Sequence, residues 1–257
     1  MSLQPKPYKP ERDVFCGDGR EPQLLAFVKS HPKFPSMQNN PSEVLAAIDE
    51  FGHQNEFLMN VGQSKGEIVS QAIANIRPKT MVELGGYVGY SAIMFGDALR
   101  KAGGEKYISL ELNPEFASVA SSLLSIAGLG SFVEIITGPC ATSLRKLRDV
   151  DPAFSIDILF LDHQKSAYVE DLALCEELSL IRPGSTVIAD NVISPGAPNY
   201  LSYIRGTRAE RLELLKSLGI KTDSWSSAKH QLNFQSKLYN GFEPTGEPDG
   251  VEISLCE

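Results

Sequence analysis

Three oxygen-bearing side chains stand where two apolar runs of this chain stop. Residues 156–165 read IDILFLDHQK and residues 185–193 read STVIADNVI. Each is a short stretch of Ile, Leu and Val, the composition of a strand buried on both faces of a parallel sheet. Asp162 ends the first run, and Asp190 with Asn191 ends the second. The three would meet at the carboxyl edge of neighbouring strands, where open α/β sheets bind ligands. Two carboxylates and an amide oxygen are hard donors that suit Mg²⁺, an ion that keeps several waters and takes further ligands from substrate oxygens. An Asp after a strand also serves simply to cap the next helix. The company of Asn191 and Lys165 favours the metal.

A second group of residues points to a cofactor. Residues 83–91, ELGGYVGYS, join a strand to a helix, the place where a glycine-rich turn lets backbone N–H groups approach a ligand. A dinucleotide fingerprint needs G-x-G-x-x-G, and tyrosine stands here where its second glycine belongs, which disfavours NAD. Glu83 offers an acceptor for a cationic amine and would repel a pyrophosphate. S-adenosylmethionine carries such an amine and no phosphate. Glu111, ending ISLEL, stands where an acidic residue hydrogen-bonds a ribose diol. The presence of Glu83 and Glu111 speaks against Gly85, Gly86 and Gly89 being turn residues only.

The elements that must carry these groups alternate. Residues 1–41 form an N-terminal arm whose order the sequence does not set, rich in Pro and Lys, with one amphipathic stretch, PQLLAFVKSH, that could form a short helix. From Ser42, SEVLAAIDEFG places Val44, Leu45, Ile48 and Phe51 on one helical face and ends near Gly52. S-K-G-E from Ser64 has the form of a capping box opening a helix that stops at Pro78. Beyond it come TMVEL, SAIMFGDALRKA, KYISLEL, PEFASVASSLLSIAG, FVEIIT, IDILFLD, AYVEDLALCEELSL and STVIAD. Strand and helix at this spacing predict right-handed crossovers and an α/β, doubly wound sheet with helices on both faces. Residues 42–257 make this domain, with an insertion near 207–240 in which RAERLELLKSLG looks helical and the rest lacks a firm period. A closing strand around VEISL fits an edge position.

Composition narrows the classes. A chain of 257 residues, 42% hydrophobic, affords one α/β domain with an appendage. No run of about eighteen apolar residues and no apolar leader core are present, so neither membrane span nor signal peptide is expected and the cytoplasm is the default location. Cys16, Cys140, Cys175 and Cys256 lack metal-ligand spacing and read as reduced thiols. A net charge of −8 argues against nucleic acid as the partner.

MNVGQSKG at 59–66, ELGGYVGYSA at 83–92, LELNP at 110–114, LFLDHQK at 159–165 and ADNVISPGAP at 189–198 resemble the catechol O-methyltransferases in order, spacing and sequence. The resemblance runs over residues 42–206 and returns near 241–254. The glycine loop alone is common to many methyltransferases, whereas DHxK with ADNVxxPG is far more specific. The resemblance implies a Rossmann-like methyltransferase sheet, mostly parallel with an antiparallel C-terminal strand. It implies that Glu111 holds the ribose of S-adenosylmethionine and that Glu83, Gly85, Tyr87 and Ser91 shape the pocket for its methionine end. Met59, Asn60 and Val61 would line the same pocket, with the Val61 N–H meeting the carboxylate. Asp162, Asp190 and Asn191 would bind Mg²⁺, with Asp162 beside the cofactor as well, and Lys165 would be the general base. His163 would pack near the adenine or the metal ligands, or be merely structural. The family's glutamate that bonds the unmethylated hydroxyl is matched by Glu243, counting back from DGVEIS, with Glu247 as the alternative.

The implied acceptor is a catechol or similar vicinal diphenol, whose paired oxygens can enter one ion's coordination sphere. Gln164 and Phe57 stand where mammalian members carry tryptophans, and Cys140 with Ala141 replaces a Ser-Gln pair at the adenine, while Pro195 remains to bracket the ring. The segment 207–240 exceeds the mammalian spacing by roughly two dozen residues and would serve as a lid or an oligomer contact. A larger vicinal diphenol is a second possible acceptor. A non-catalytic cofactor-binding protein on the same fold is the rival class, against which intact Asp162, Lys165, Asp190 and Asn191 speak.

Overall fold

A computed structural model describes residues 7–220 and 232–257. Its sheet has strands β1 (Thr80–Leu84), β2 (Lys106–Glu111), β3 (Val133–Thr137), β4 (Ile158–Leu161), β5 (Thr186–Ala189), β6 (Phe234–Phe242) and β7 (Pro248–Cys256), in the order β3-β2-β1-β4-β5-β7-β6. The first five run parallel, and β7 is antiparallel to both β5 and β6. Every residue of β4 and β5 is buried, as their unbroken apolar sequences require.

Around the sheet lie α1 (Arg20–Ser30), α2 (Phe34–Met37), α3 (Pro41–Gln54), α4 (Gly62–Ile76), α5 (Tyr90–Lys101), α6 (Pro114–Ile126), α7 (Cys140–Val150), α8 (Tyr168–Glu177), α9 (Pro198–Arg205) and α10 (Arg208–Ser217). They form two layers. Met81 of β1 faces one core with Phe51, Val69, Phe95 and Leu123, while Val82 and Leu84 face the other with Leu144, Leu172 and Tyr203. Alternate strand residues thus serve opposite layers, the doubly wound arrangement the alternation predicts. Within α1, Leu24 and Val28 are fully buried.

Strand order steps outward from β1 to β3 and then returns to β4 beside β1. That reversal opens a crevice at the carboxyl ends of β1 and β4. Register makes it level: Leu84 pairs with Leu161, and Leu161 with Ala189, so Gly85, Asp162 and Asp190 emerge side by side.

Of three local expectations, two fail. The helix expected to open at a Ser64 capping box begins at Gly62, whose φ of 72° turns the chain in. The Ser64 hydroxyl instead accepts from the Phe242 N–H at 3.1 Å. The helix expected to end near Gly52 does so, at Gln54. The strand containing VEISL lies inside the sheet, because FQSKLYNGF forms β6 outside it. RAERLELLKSLG does hold a helix, α10, while residues 221–231 of the expected insertion lie outside the described residues. No helix among the described residues is long and apolar enough to cross a membrane.

Candidate active site

A cavity of about 690 Å³ opens at these strand ends, its lining running from Gly85, Tyr87 and Glu111 to Asp162, Asn191 and Glu243. The N-terminal segment supplies part of its wall through Glu11 and Phe15. Two backbone hydrogen bonds hold that segment down, Tyr8 N–H to the Pro244 carbonyl at 2.9 Å and Lys9 N–H to the Gly52 carbonyl at 2.8 Å. The buried Arg20 guanidinium donates to the Phe57 carbonyl at 2.6 Å, which ties α1 to the chain just before Met59, Asn60 and Val61. All three of those residues line the cavity.

One end is built by backbone. Gly85 has a φ of 95°, and a Cβ there would run into the carbonyl of Asp162, so glycine is required where β1 and β4 converge. Glu111, the last residue of β2, closes the turn. Its Oε2 accepts from Gly86 N–H at 3.2 Å and Tyr87 N–H at 2.7 Å, and its Oε1 accepts from Asn113 N–H at 2.7 Å. Burial raises its pKa while those N–H groups oppose the shift. A carboxylate has about four lone-pair sites, so with three N–H groups bound about one remains for a ribose hydroxyl. Tyr87 packs edge-on to Phe116 and donates its hydroxyl to Glu21 Oε1 at 2.9 Å. Ser91 lines the cavity, but Glu83 does not. The Glu83 side chain accepts from Ser109 of β2 through Oε2 at 2.6 Å. Its other oxygen is buried without a partner, and burial raises the carboxyl to about 7, against hydrogen bonds from Ser109 and Ser91.

The other end is built by charged side chains. Lys165 donates to Asp162 Oδ1 at 3.0 Å and to the Tyr168 hydroxyl at 2.8 Å, and that hydroxyl donates to the Leu161 carbonyl at 2.8 Å. Asn191, with a φ of 56°, donates its amide nitrogen to Glu243 Oε1 at 2.5 Å and Asp249 Oδ2 at 3.0 Å. Burial raises Asp190 to about 6, with Lys65 opposing, and raises Glu243 to about 8. Glu243 lines the cavity, whereas Glu247 is exposed on the turn beyond it. His163 pairs with Asp171 at 3.0 Å and stacks on Tyr168, with its Nδ1 buried and unpartnered. Burial pushes the neighbouring Cys140 thiol up to about 12, and all four cysteines are free.

The crevice therefore gathers Met59, Val61, Gly85, Tyr87, Ser91, Glu111, Asp162, His163, Lys165, Asp190, Asn191 and Glu243 in its lining, and Glu83 is not part of that lining. Sequence reasoning misses three members of the site's framework: Lys65, Asp249 and Tyr168. Lys65 reads as part of a helix start and Tyr168 as the apolar opening of a helix. Asp249 lies in DGVEIS, quoted only as a counting mark.

The family model described as O-methyltransferase matches residues 36–200. Catechol O-methyltransferase of Bos taurus is 37% identical over 201 residues, 77% of this chain and 71% of that protein. The Mus musculus protein of the same name is 38% identical over 202 residues, 77% of this chain and 73% of its own. The crystal structure of the O-methyltransferase TomG from Streptomyces achromogenes, in complex with SAM, superposes with a TM-score of 0.59 at 22% identity, covering 94% of this chain and 99% of that one. That likeness shows the shared fold. The matched span holds the glycine loop, Glu111 and both acid-bearing strand ends, and the chain belongs to the O-methyltransferase family.

Proposed function

We propose that this protein transfers a methyl group from S-adenosylmethionine to one hydroxyl of a catechol, with Mg²⁺ holding the diol. The observation that carries the reading is the set of oxygens left open at the acidic end. Asp190 Oδ1 is buried with no hydrogen-bond partner. Asn191 spends its amide nitrogen on Glu243 and Asp249, which leaves its carbonyl oxygen for another ligand. Asp162 gives Oδ1 to Lys165 and keeps Oδ2. Hard, partly unengaged oxygens on adjacent strand ends fit Mg²⁺. When bound, the ion makes a coordinated hydroxyl a stronger acid.

The chain's own residues supply the rest. As the neutral amine, Lys165 has two N–H donors, which Asp162 and Tyr168 take up, and one lone pair. That lone pair is where an acceptor hydroxyl can pass its proton, which leaves Lys165 an ammonium and the hydroxyl a phenolate. Tyr168 fixes that amine because its own hydrogen is committed to a backbone carbonyl. Glu243 would accept from the hydroxyl that is not methylated. Glu111 would hold the ribose, and residues 59–61 with Ser91 the methionine end. Phe57, Pro195 and Met59 wall the acceptor, and the N-terminal segment excludes water. The curated relatives named catechol O-methyltransferase support this acceptor class. A larger vicinal diphenol is favoured by one observation: Gln164 at the cavity is exposed and leaves that wall open.

The test is product analysis with S-adenosylmethionine and a panel of catechols and monophenols, with and without EDTA. Catechols should give monomethyl ethers only without chelator. Methylation insensitive to EDTA, or equal turnover of monophenols, overturns the reading.

A further inference from the structure

Lys65, in the first turn of α4, has none of its side chain exposed. Its ammonium spends all three protons on carboxylates from distant parts of the chain: Asp190 Oδ2 at 2.8 Å, Asp249 Oδ2 at 2.7 Å and Glu243 Oε1 at 2.6 Å. Asp249 is used completely. Its Oδ1 accepts from the Ile193 and Ser194 amides at 3.1 and 2.8 Å, and its Oδ2 also accepts from Asn191.

Without an internal cation this corner would hold Asp162, Asp190, Asn191, Glu243 and Asp249 around one cavity. So many oxygens could enclose a divalent ion, as in an all-protein calcium cage, and leave no position for an acceptor. Lys65 withdraws oxygens from that supply. Asp249 keeps none free, and Asp190 and Glu243 each commit one.

We propose that Lys65 is a positioning residue that holds Glu243 and Asp249 off the divalent ion, limits Asp190 to one available oxygen, and so keeps coordination positions open for the acceptor's two hydroxyls. The inference rests on the proposed function, in which an ion and a diol meet here. It gives Lys65 a role opposite to that of a ligand: it makes the protein's own grip on the ion incomplete.

Mn²⁺ is the probe, read by electron paramagnetic resonance for affinity and by water-proton relaxation for the number of waters kept on the bound ion. The variants are Lys65→Met and Lys65→Met with Asp249→Asn. The second removes one cation and one anion together, so it carries the test should the single change fail to fold. Both should bind Mn²⁺ at least as tightly as the parent but with fewer exchangeable waters. Acceptor KM should rise about tenfold or more, because the diol must compete for positions now taken. Affinity for S-adenosylmethionine, measured by calorimetry, should stay within about twofold, since the cofactor end shares no hydrogen bond with Lys65. Weaker Mn²⁺ binding with unchanged hydration would make Lys65 a plain prop for Asp190, and parent-like hydration in both variants would equally overturn the proposal. If the parent binds no Mn²⁺ at all, the metal reading falls first and this one with it.

Discussion

The two ends of the crevice are held by different kinds of bond. At the glycine-loop end Glu111 is bound by backbone N–H groups of Gly86, Tyr87 and Asn113, all on the loops that flank it. At the acidic end the bonds join side chains far apart in sequence: Lys65 to Asp190 spans 125 positions and Lys65 to Asp249 spans 184. The first end is a rigid cradle of dipoles that suits one invariant ligand. The second is a balance of ammonium groups and carboxylates, which responds to any change of charge and suits proton transfer.

The sharpest way to break that contrast is Lys165→Ala. If the acidic end does the chemistry and the loop end only binds, turnover should fall by about 10²–10⁴-fold, the usual range for loss of a general base, while cofactor affinity stays near that of the parent. Steady-state rates with a catechol and calorimetry with S-adenosylmethionine measure the two. Near-normal turnover would remove Lys165 from the mechanism, and a parallel loss of cofactor affinity would mean that the ends are not separate.

The same contrast explains what the sequence discloses. Strand runs such as ILFL and TVIA carry their burial in their composition, and the turn ELGGYVG shows its backbone demands through glycine. The doubly wound order, the level of Asp162 with Asp190 and the place of Glu111 follow from such local signals. Lys65 gives none, because a lysine in a first helical turn ordinarily faces water, and its burial depends on three acids supplied by other elements. The strand β6 is hidden for a related reason. FQSKLYNGF alternates weakly, its outer edge is wet, and it pairs only because β7 lies beside it. The partner of Glu83 is hidden in the same way, because Ser109 lies 26 positions along the chain and reaches it only through the pairing of β1 with β2.

Glu83 also supplies the next test, since it is a fully buried acid with no cation paired to it among the described residues, unlike Asp190 and Asp249 on Lys65. Its carboxyl is raised to about 7 in the folded protein from an ordinary value of 4.5, so between those values the folded chain keeps a proton the unfolded chain has lost. Folding takes up that proton, and the Glu83 contribution to stability falls as pH rises through this window and is level above it. Glu83→Gln should abolish that slope, changing the stability difference between pH 5 and pH 8 by about 3 kcal/mol at most. Urea unfolding of parent and variant at both pH values reads it. An unchanged slope would mean that Glu83 is ionised in the fold, with a donor that compensates it.

A smaller effect is expected from Glu111→Gln at the loop end. The amide keeps one oxygen for Gly86 and Tyr87 but sets an NH₂ group where Asn113 N–H now donates, and it removes the charge that would strengthen bonds from a ribose diol. Affinity for S-adenosylmethionine should weaken by about 1–3 kcal/mol, the worth of a hydrogen bond to a charged group. S-adenosylhomocysteine should lose the same amount, because the two molecules share the ribose and differ only at sulfur. Calorimetry with both ligands checks this, and unequal losses would mean that Glu111 acts on the sulfonium charge and not through the ribose. Mn²⁺ affinity in this variant should match the parent, and a shift there would show that the backbone cradle and the charge balance are one unit.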